Sequence, residues 1–170
     1  MKCKFYKEAL HTLENEFTIE NSLYKNMLLY NRLLCYLFLR DTKNLATYIT
    51  YDLDAAPFPQ NYVLKMIKSA YFYLIGEYET ALSVINSLLQ AKSSSDNMQY
   101  YQPVATIFKR LYTVSQKNSL QKRWSEKDIK TLQDGILEFE KTAPAEFKLV
   151  STYLWIKDEI ELNLIKKHSS

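Results

Sequence analysis

Chain breakers are the scarcest residues here: 170 residues contain two glycines and four prolines. An all-β chain needs a turn residue every several positions, so this scarcity points to helices. One of the two glycines stands at the centre of "YFYLIGEYETALSVI", Tyr71 to Ile85. Apolar residues follow a helical period on both sides of Gly76, which predicts two helices joined by a tight corner.

The same period recurs along the chain. Phe5 to Glu16 forms a first helix with Ala9 and Leu13 on one face. A second begins at Asn21 or Ser22 and continues to about Arg40, with Leu23, Met27, Tyr30, Leu34 and Leu37 stepping by 4, 3, 4 and 3. Asp41 and Thr42 cap a third through about Tyr51, after which Pro57 and Pro59 break the pattern. Further helices run from Gln60 to Ile75, from Tyr78 to Ala91, and within Met98 to Gln116, where Pro103 marks a start or a kink. The stretch "KSSSD" is a linker. Ser125 is the expected N-cap of a seventh helix, with Asp128 returning a capping-box bond and Trp124 stapling against Ile129. An eighth is expected from Pro144 to about Lys167, carrying Leu149, Tyr153, Ile156, Ile160 and Leu164 on one face. Eight helices and no strand make an all-α protein.

"YKEAL" at Tyr6 and "YETAL" at Tyr78 share a pattern, and "KNLA" places Ala46 between them. Ala9 and Ala46 are 37 residues apart, Ala46 and Ala81 are 35 apart. Helix–turn–helix units at about 34 residues resemble the tetratricopeptide repeat. The match is best from Val63 to Leu89. There Ser69 stands where that family prefers a small residue, Phe72 where it prefers an aromatic, and Gly76 at its corner. Tyr78 follows the turn, Ala81 is the small packing residue, and Ile85 a large apolar one. Departures are Lys68 for an apolar residue, Leu88 for a small one, Ser93 for a proline, and Asp41 at the preceding corner.

The resemblance implies a right-handed α-solenoid of antiparallel helix pairs. Residues 1–95 would form the repeats, and 96–170 a degenerate repeat with capping helices. The first helices of each pair would line a partner-binding groove through Asn31, Cys35 and Phe38, and through Met66, Ala70 and Tyr73, with Cys35 and Ala70 read as core. Such a groove suits a peptide or helix held by a few anchors. The first helix matches the second half of a repeat, so Phe5, Leu10 or Leu13 should be partly uncovered. Either the chain is the C-terminal part of a longer repeat protein, or this face packs on another copy as a homodimer.

Other functions fare less well. Two isolated glycines exclude a phosphate-binding Walker loop, a dinucleotide fingerprint and a nucleophile elbow. His11 and His168 are the only histidines, and no His or Cys pair has zinc-ligand spacing. Asp158, Glu159 and Glu161 read as a solvated face rather than half of a di-metal site. Cys35, within the apolar run "LLCYLFL", reads as a buried, inert thiol. Neither catalysis nor a cofactor is expected. The segment Lys109, Arg110, Lys117, Lys122, Arg123 and Lys127, with Tyr112 and Trp124 interleaved, is the nucleic-acid alternative, diluted by Glu126, Asp128 and Asp134. A third reading keeps the fold as the peptide-sensing domain of a bacterial regulator. A net charge of +3, no signal core and two sparse cysteines suggest a cytoplasmic protein with no membrane partner.

Overall fold

A computed structural model describes residues 2–15, 22–49, 60–90, 98–119 and 124–168, with side chains described outside 2–4, 15, 22–26 and 166–168. The proline segment before Gln60, the "KSSSD" linker, Lys122 and Arg123 lie outside these residues, as do the side chains of Cys3 and Leu23. The described residues form helices and no strand: α1 (Lys2–Asn15), α2 (Ser22–Leu39), α3 (Thr42–Tyr48), α4 (Gln60–Leu74), α5 (Tyr78–Gln90), α6 (Met98–Lys117), α7 (Glu126–Thr142), α8 (Ala145–Lys148) and α9 (Ser151–His168).

Gly76 adopts φ +84°, a conformation that costs glycine little. Its N–H donates to the Tyr73 carbonyl at 3.1 Å, and the Glu77 N–H donates to the Phe72 carbonyl at 2.8 Å. This pair of bonds is a Schellman corner, which satisfies the last carbonyls of α4 and turns the chain sharply into α5. The same corner closes α2. Arg40 has φ +56°, its N–H donates to Leu37 at 3.1 Å, and the Asp41 N–H donates to Tyr36 at 2.9 Å.

The corner expected at Asp41 therefore sits one residue earlier. Asp41 is instead the N-cap of α3, accepting the Asn44 N–H at 3.1 Å. Asp tolerates the left-handed region better than Arg, which is why the sequence points to Asp41, but Asp41 is committed to capping α3 and leaves Arg40 as the residue past the end of α2. The two corners are 36 residues apart. In that register Leu45, fully buried, is the counterpart of Ala81, also fully buried, and Ala46 is only half-buried.

Consecutive helices pack on one another from α1 to α7, and α2, α4 and α6 also pack side by side. Ser69, Ala81 and Ile85 are fully buried between them, while Phe72, Tyr78 and Ala9 are half-buried. α1 is tied to α2 by Tyr36, whose hydroxyl donates to Glu14 at 2.8 Å, and by Arg32, which donates to the Leu13 carbonyl at 2.8 Å. Leu10 and Leu13 are half-covered and Phe5 is 65% exposed. Pro103 lies inside α6, where it removes one backbone donor.

The long final helix expected from Pro144 is two helices. Leu149 and Val150 bond back three residues, to Glu146 and Phe147, which tightens the chain out of α8; the Leu154 N–H then bonds to Val150 to begin α9. The break seats Phe147 against Tyr100, with ring centroids 4.2 Å apart, and leaves Leu149 71% exposed.

α9 packs against α2, α4, α6, α7 and α8. Ser151 lies within hydrogen-bonding reach of Tyr30, and Glu159 reaches Arg40 and Tyr73, so α9 runs in the same direction as α2 and α4. Its Tyr153, Trp155, Ile156 and Ile160 are all buried. Nearest-neighbour stacking alone does not bring a C-terminal helix back onto α2 and α4.

Candidate partner-binding site

The face formed by α2 and α4, where the repeat resemblance puts the groove, is packed against by α9, which also meets α6. The Tyr73 hydroxyl donates to Glu159 at 3.1 Å and accepts from the Asn163 side chain at 3.2 Å. Its ring stacks on Tyr112 at 5.2 Å and meets the edge of Trp155 at 6.3 Å. Burial, and next the neighbouring Glu159, push the Tyr73 phenol far above its ordinary value, so it stays a neutral donor. Glu159 is 3% exposed and forms an ion pair with Arg40. Of the four expected groove residues, Met66 is fully buried, Tyr73 is buried under α9, and Phe38 is half-buried, stacked on Tyr6 at 4.2 Å. Asn31 alone of the four is exposed. At Met66 and Tyr73 the expected groove is thus interior, Tyr73 being met by an aromatic and a carboxylate of α9, whereas Asn31 and Phe38 stay accessible.

In the basic and aromatic segment the two aromatics are interior. Tyr112 is fully buried, its hydroxyl 3.0 Å from Ser69, and Trp124 is buried at the start of α7, so neither ring can stack on a base. Lys117 donates to Asp128 at 3.2 and 3.3 Å, and Arg110 crosses Gly135 toward Glu138. Lys109 and Lys127 are exposed. Ser125 caps α7 as expected, accepting the Asp128 N–H at 3.2 Å. Asp128 returns its bond to the Ser125 hydroxyl at 2.7 Å rather than to the backbone, since its arm is one methylene shorter than that of glutamate. That hydrogen bond leads Lys117 and Asn118 in holding the Asp128 carboxyl down at about 2.

Glu159 turns inward, away from Asp158 and Glu161, and no group among the described residues has the geometry to hold a metal ion. Cys35 is buried, and burial, followed by the nearby Glu14, pushes its thiol up, the opposite of activation. No described helix is long and apolar enough to cross a membrane.

Three concave surfaces are open among the described residues, one of them a cleft of about 550 Å³ between α6 and α7 that is lined largely by polar side chains such as Gln99, Gln102, Arg110 and Glu138. A cleft of about 300 Å³ lies among α1, α2 and α9, walled by Tyr6, Phe38, Trp155, Leu162 and Ile165. A larger groove, about 870 Å³, runs between α7 and α9. Ile129, Ile136, Ile160 and Leu164 form its apolar floor, and Leu137 stands at its lip, 51% exposed. Glu140 and Lys157 cross one end at 2.6 Å, with the Tyr153 hydroxyl donating to the same carboxylate at 2.9 Å. The lining residues on α7, from Glu126 to Glu140, cover a face roughly 21 Å long at helical rise. The sequence signal for this groove is the pair Ile129 and Ile136, seven residues apart, with Leu137 beside it; its second wall needs the position of α9.

The chain is thus an all-helical protein whose C-terminal helix packs across the earlier ones. Comparison with protein-family models, with curated proteins and with solved structures gave no match.

Proposed function

We propose that the chain is a protein- or peptide-binding module of tetratricopeptide-like type, with no catalytic activity of its own. Two Schellman corners 36 residues apart, each leading directly into the next helix, support the repeat reading. The observation that carries the binding reading is the open α7–α9 groove, about four helical turns long and apolar over about two of them, from Ile129 to Ile136 on α7. A groove of this kind takes an amphipathic helix through a few apolar anchors, the rest of the contact excluding water. The α2–α4–α6 face already holds a helix in cis.

A photo-crosslinking residue at Leu137, with a second variant at the exposed Thr113 on α6 as control, tests the reading in whole cells. The expected result is an adduct at position 137 that maps to one segment of one protein and is missing at 113. Indistinguishable adducts from the two positions would refute it.

A further inference from the structure

We propose that the α7–α9 groove takes a partner-protein helix whose apolar stripe is flanked by lysine or arginine. This rests on the interaction reading above and adds the chemistry of the partner.

The banks of the groove carry the argument. Asp134 stands on the α7 bank and Glu161 on the α9 bank, one carboxylate on each side of the apolar floor, with Glu126 at the far end. Two cations line the same groove: Lys157 is already held by Glu140 at 2.6 Å, and Lys130 stands one turn before Asp134 on the α7 bank, so that four lining carboxylates face two cations and the groove is acidic on balance. A helix lying in the groove places its flanking side chains against both banks at once, so basic flanks meet a carboxylate on either side and acidic flanks meet like charge. A second copy offering this same face would set Asp134 and Glu161 against their own kind. Nucleic acid and anionic lipid would meet the same repulsion. An apolar centre with charge-complementary edges is the division of labour of helix-in-groove recognition: the stripe supplies affinity and the flanks select the partner.

The test uses two fluorescein-labelled model helices of about 16 residues, long enough to span the groove. Both carry the same leucine stripe; one has lysine flanks and the other glutamate flanks. Fluorescence anisotropy with the full chain should show the lysine helix binding at least roughly tenfold tighter, with the preference shrinking as salt rises. Leu137→Asp should abolish binding. Since Leu137 is half-exposed, that variant should keep the wild-type circular dichroism spectrum and melting midpoint. Asp134→Lys combined with Glu161→Lys should reverse the preference.

Equal affinity for the two helices, or binding unchanged by Leu137→Asp, would overturn the proposal. So would a dimer in sedimentation that Leu137→Asp dissociates, because the occupant would then be a second copy. If neither helix binds while the Leu137 crosslink still captures one partner segment, the basic-helix proposal fails and the binding reading stands.

Discussion

At the scale of single residues, the two glycines do opposite jobs. Gly76 holds a positive φ in open space, where a β-carbon would meet nothing within 4 Å. Gly76→Ala should therefore cost about 1 kcal/mol from the backbone alone. Gly135 is helical, and a β-carbon there would come within 2.6 Å of the Arg110 guanidinium, the movable end of a flexible side chain. The Arg110–Glu138 pair it would disturb is long, at 3.8 Å, and Glu138 is exposed. Such a pair contributes little, while alanine gains roughly 1 kcal/mol of helix propensity over glycine. Gly135→Ala should thus be neutral or stabilising, and urea midpoints of the two variants should move apart. A loss at Gly135 equal to that at Gly76 would show that the Arg110 placement is rigid.

Asp128 adds a pH dependence. Its carboxyl is held at about 2 in the folded chain against an ordinary unfolded value of about 3.9, so its contribution is complete above the unfolded value and lost as pH falls toward 2. Asp128→Asn should destabilise near neutral pH and cost progressively less from about pH 4 to pH 2. A penalty that stays constant across that interval in acid denaturation would mean the carboxylate charge is not what Ser125, Lys117 and Asn118 hold.

Between elements, α4 and α5 pack against each other with the small Ser69 and Ala81 both fully buried. Ala81 is fully buried against α4, and Ala81→Leu should lose roughly 1–3 kcal/mol by overpacking. An unchanged thermal midpoint would mean the contact has slack. This pair of helices was readable from Val63 to Leu89 because period, corner glycine and small residues all agree. The α2–α3 corner was readable only to within one residue, since Arg40 is an unusual occupant of a left-handed position and carries no local signature. The last helices misled for a different reason. On α9, Tyr153, Trp155, Ile156 and Ile160 are buried while Leu154, Leu162 and Ile165 are exposed, so apolar residues surround the helix and no single stripe predicts its partners. Pro144 announced the start of α8, but nothing at Leu149 announced the break.

Across the whole molecule, α9 decides which surfaces are open. It turns the α4 side of the expected groove, Met66 and Tyr73, into core, and with α7 it creates another groove. Periodicity can name the helices that face one another only when they are neighbours in sequence, which is why Met66 and Tyr73 read as groove and prove to be interior. Trp155 is the anchor, meeting Phe108 of α6 at 5.6 Å and Tyr73 of α4 at 6.3 Å. Trp155→Ala should cost roughly 3–5 kcal/mol, with amide protection falling in α4 and α6 as well as in α9. Loss confined to α9 would show it to be an appendage rather than part of the cooperative core.

The Arg40–Glu159 pair joins residues 119 positions apart. At cellular elongation rates the ribosome makes the second roughly 6–24 s after the first. Within that interval α2, and then α4 and α6 as they are made, exist without the helix that covers them. The nascent chain must therefore wait, loosely assembled, for residues 151–168. Slower synthesis of the segment between α6 and α9 lengthens the period in which chaperones or proteases find it.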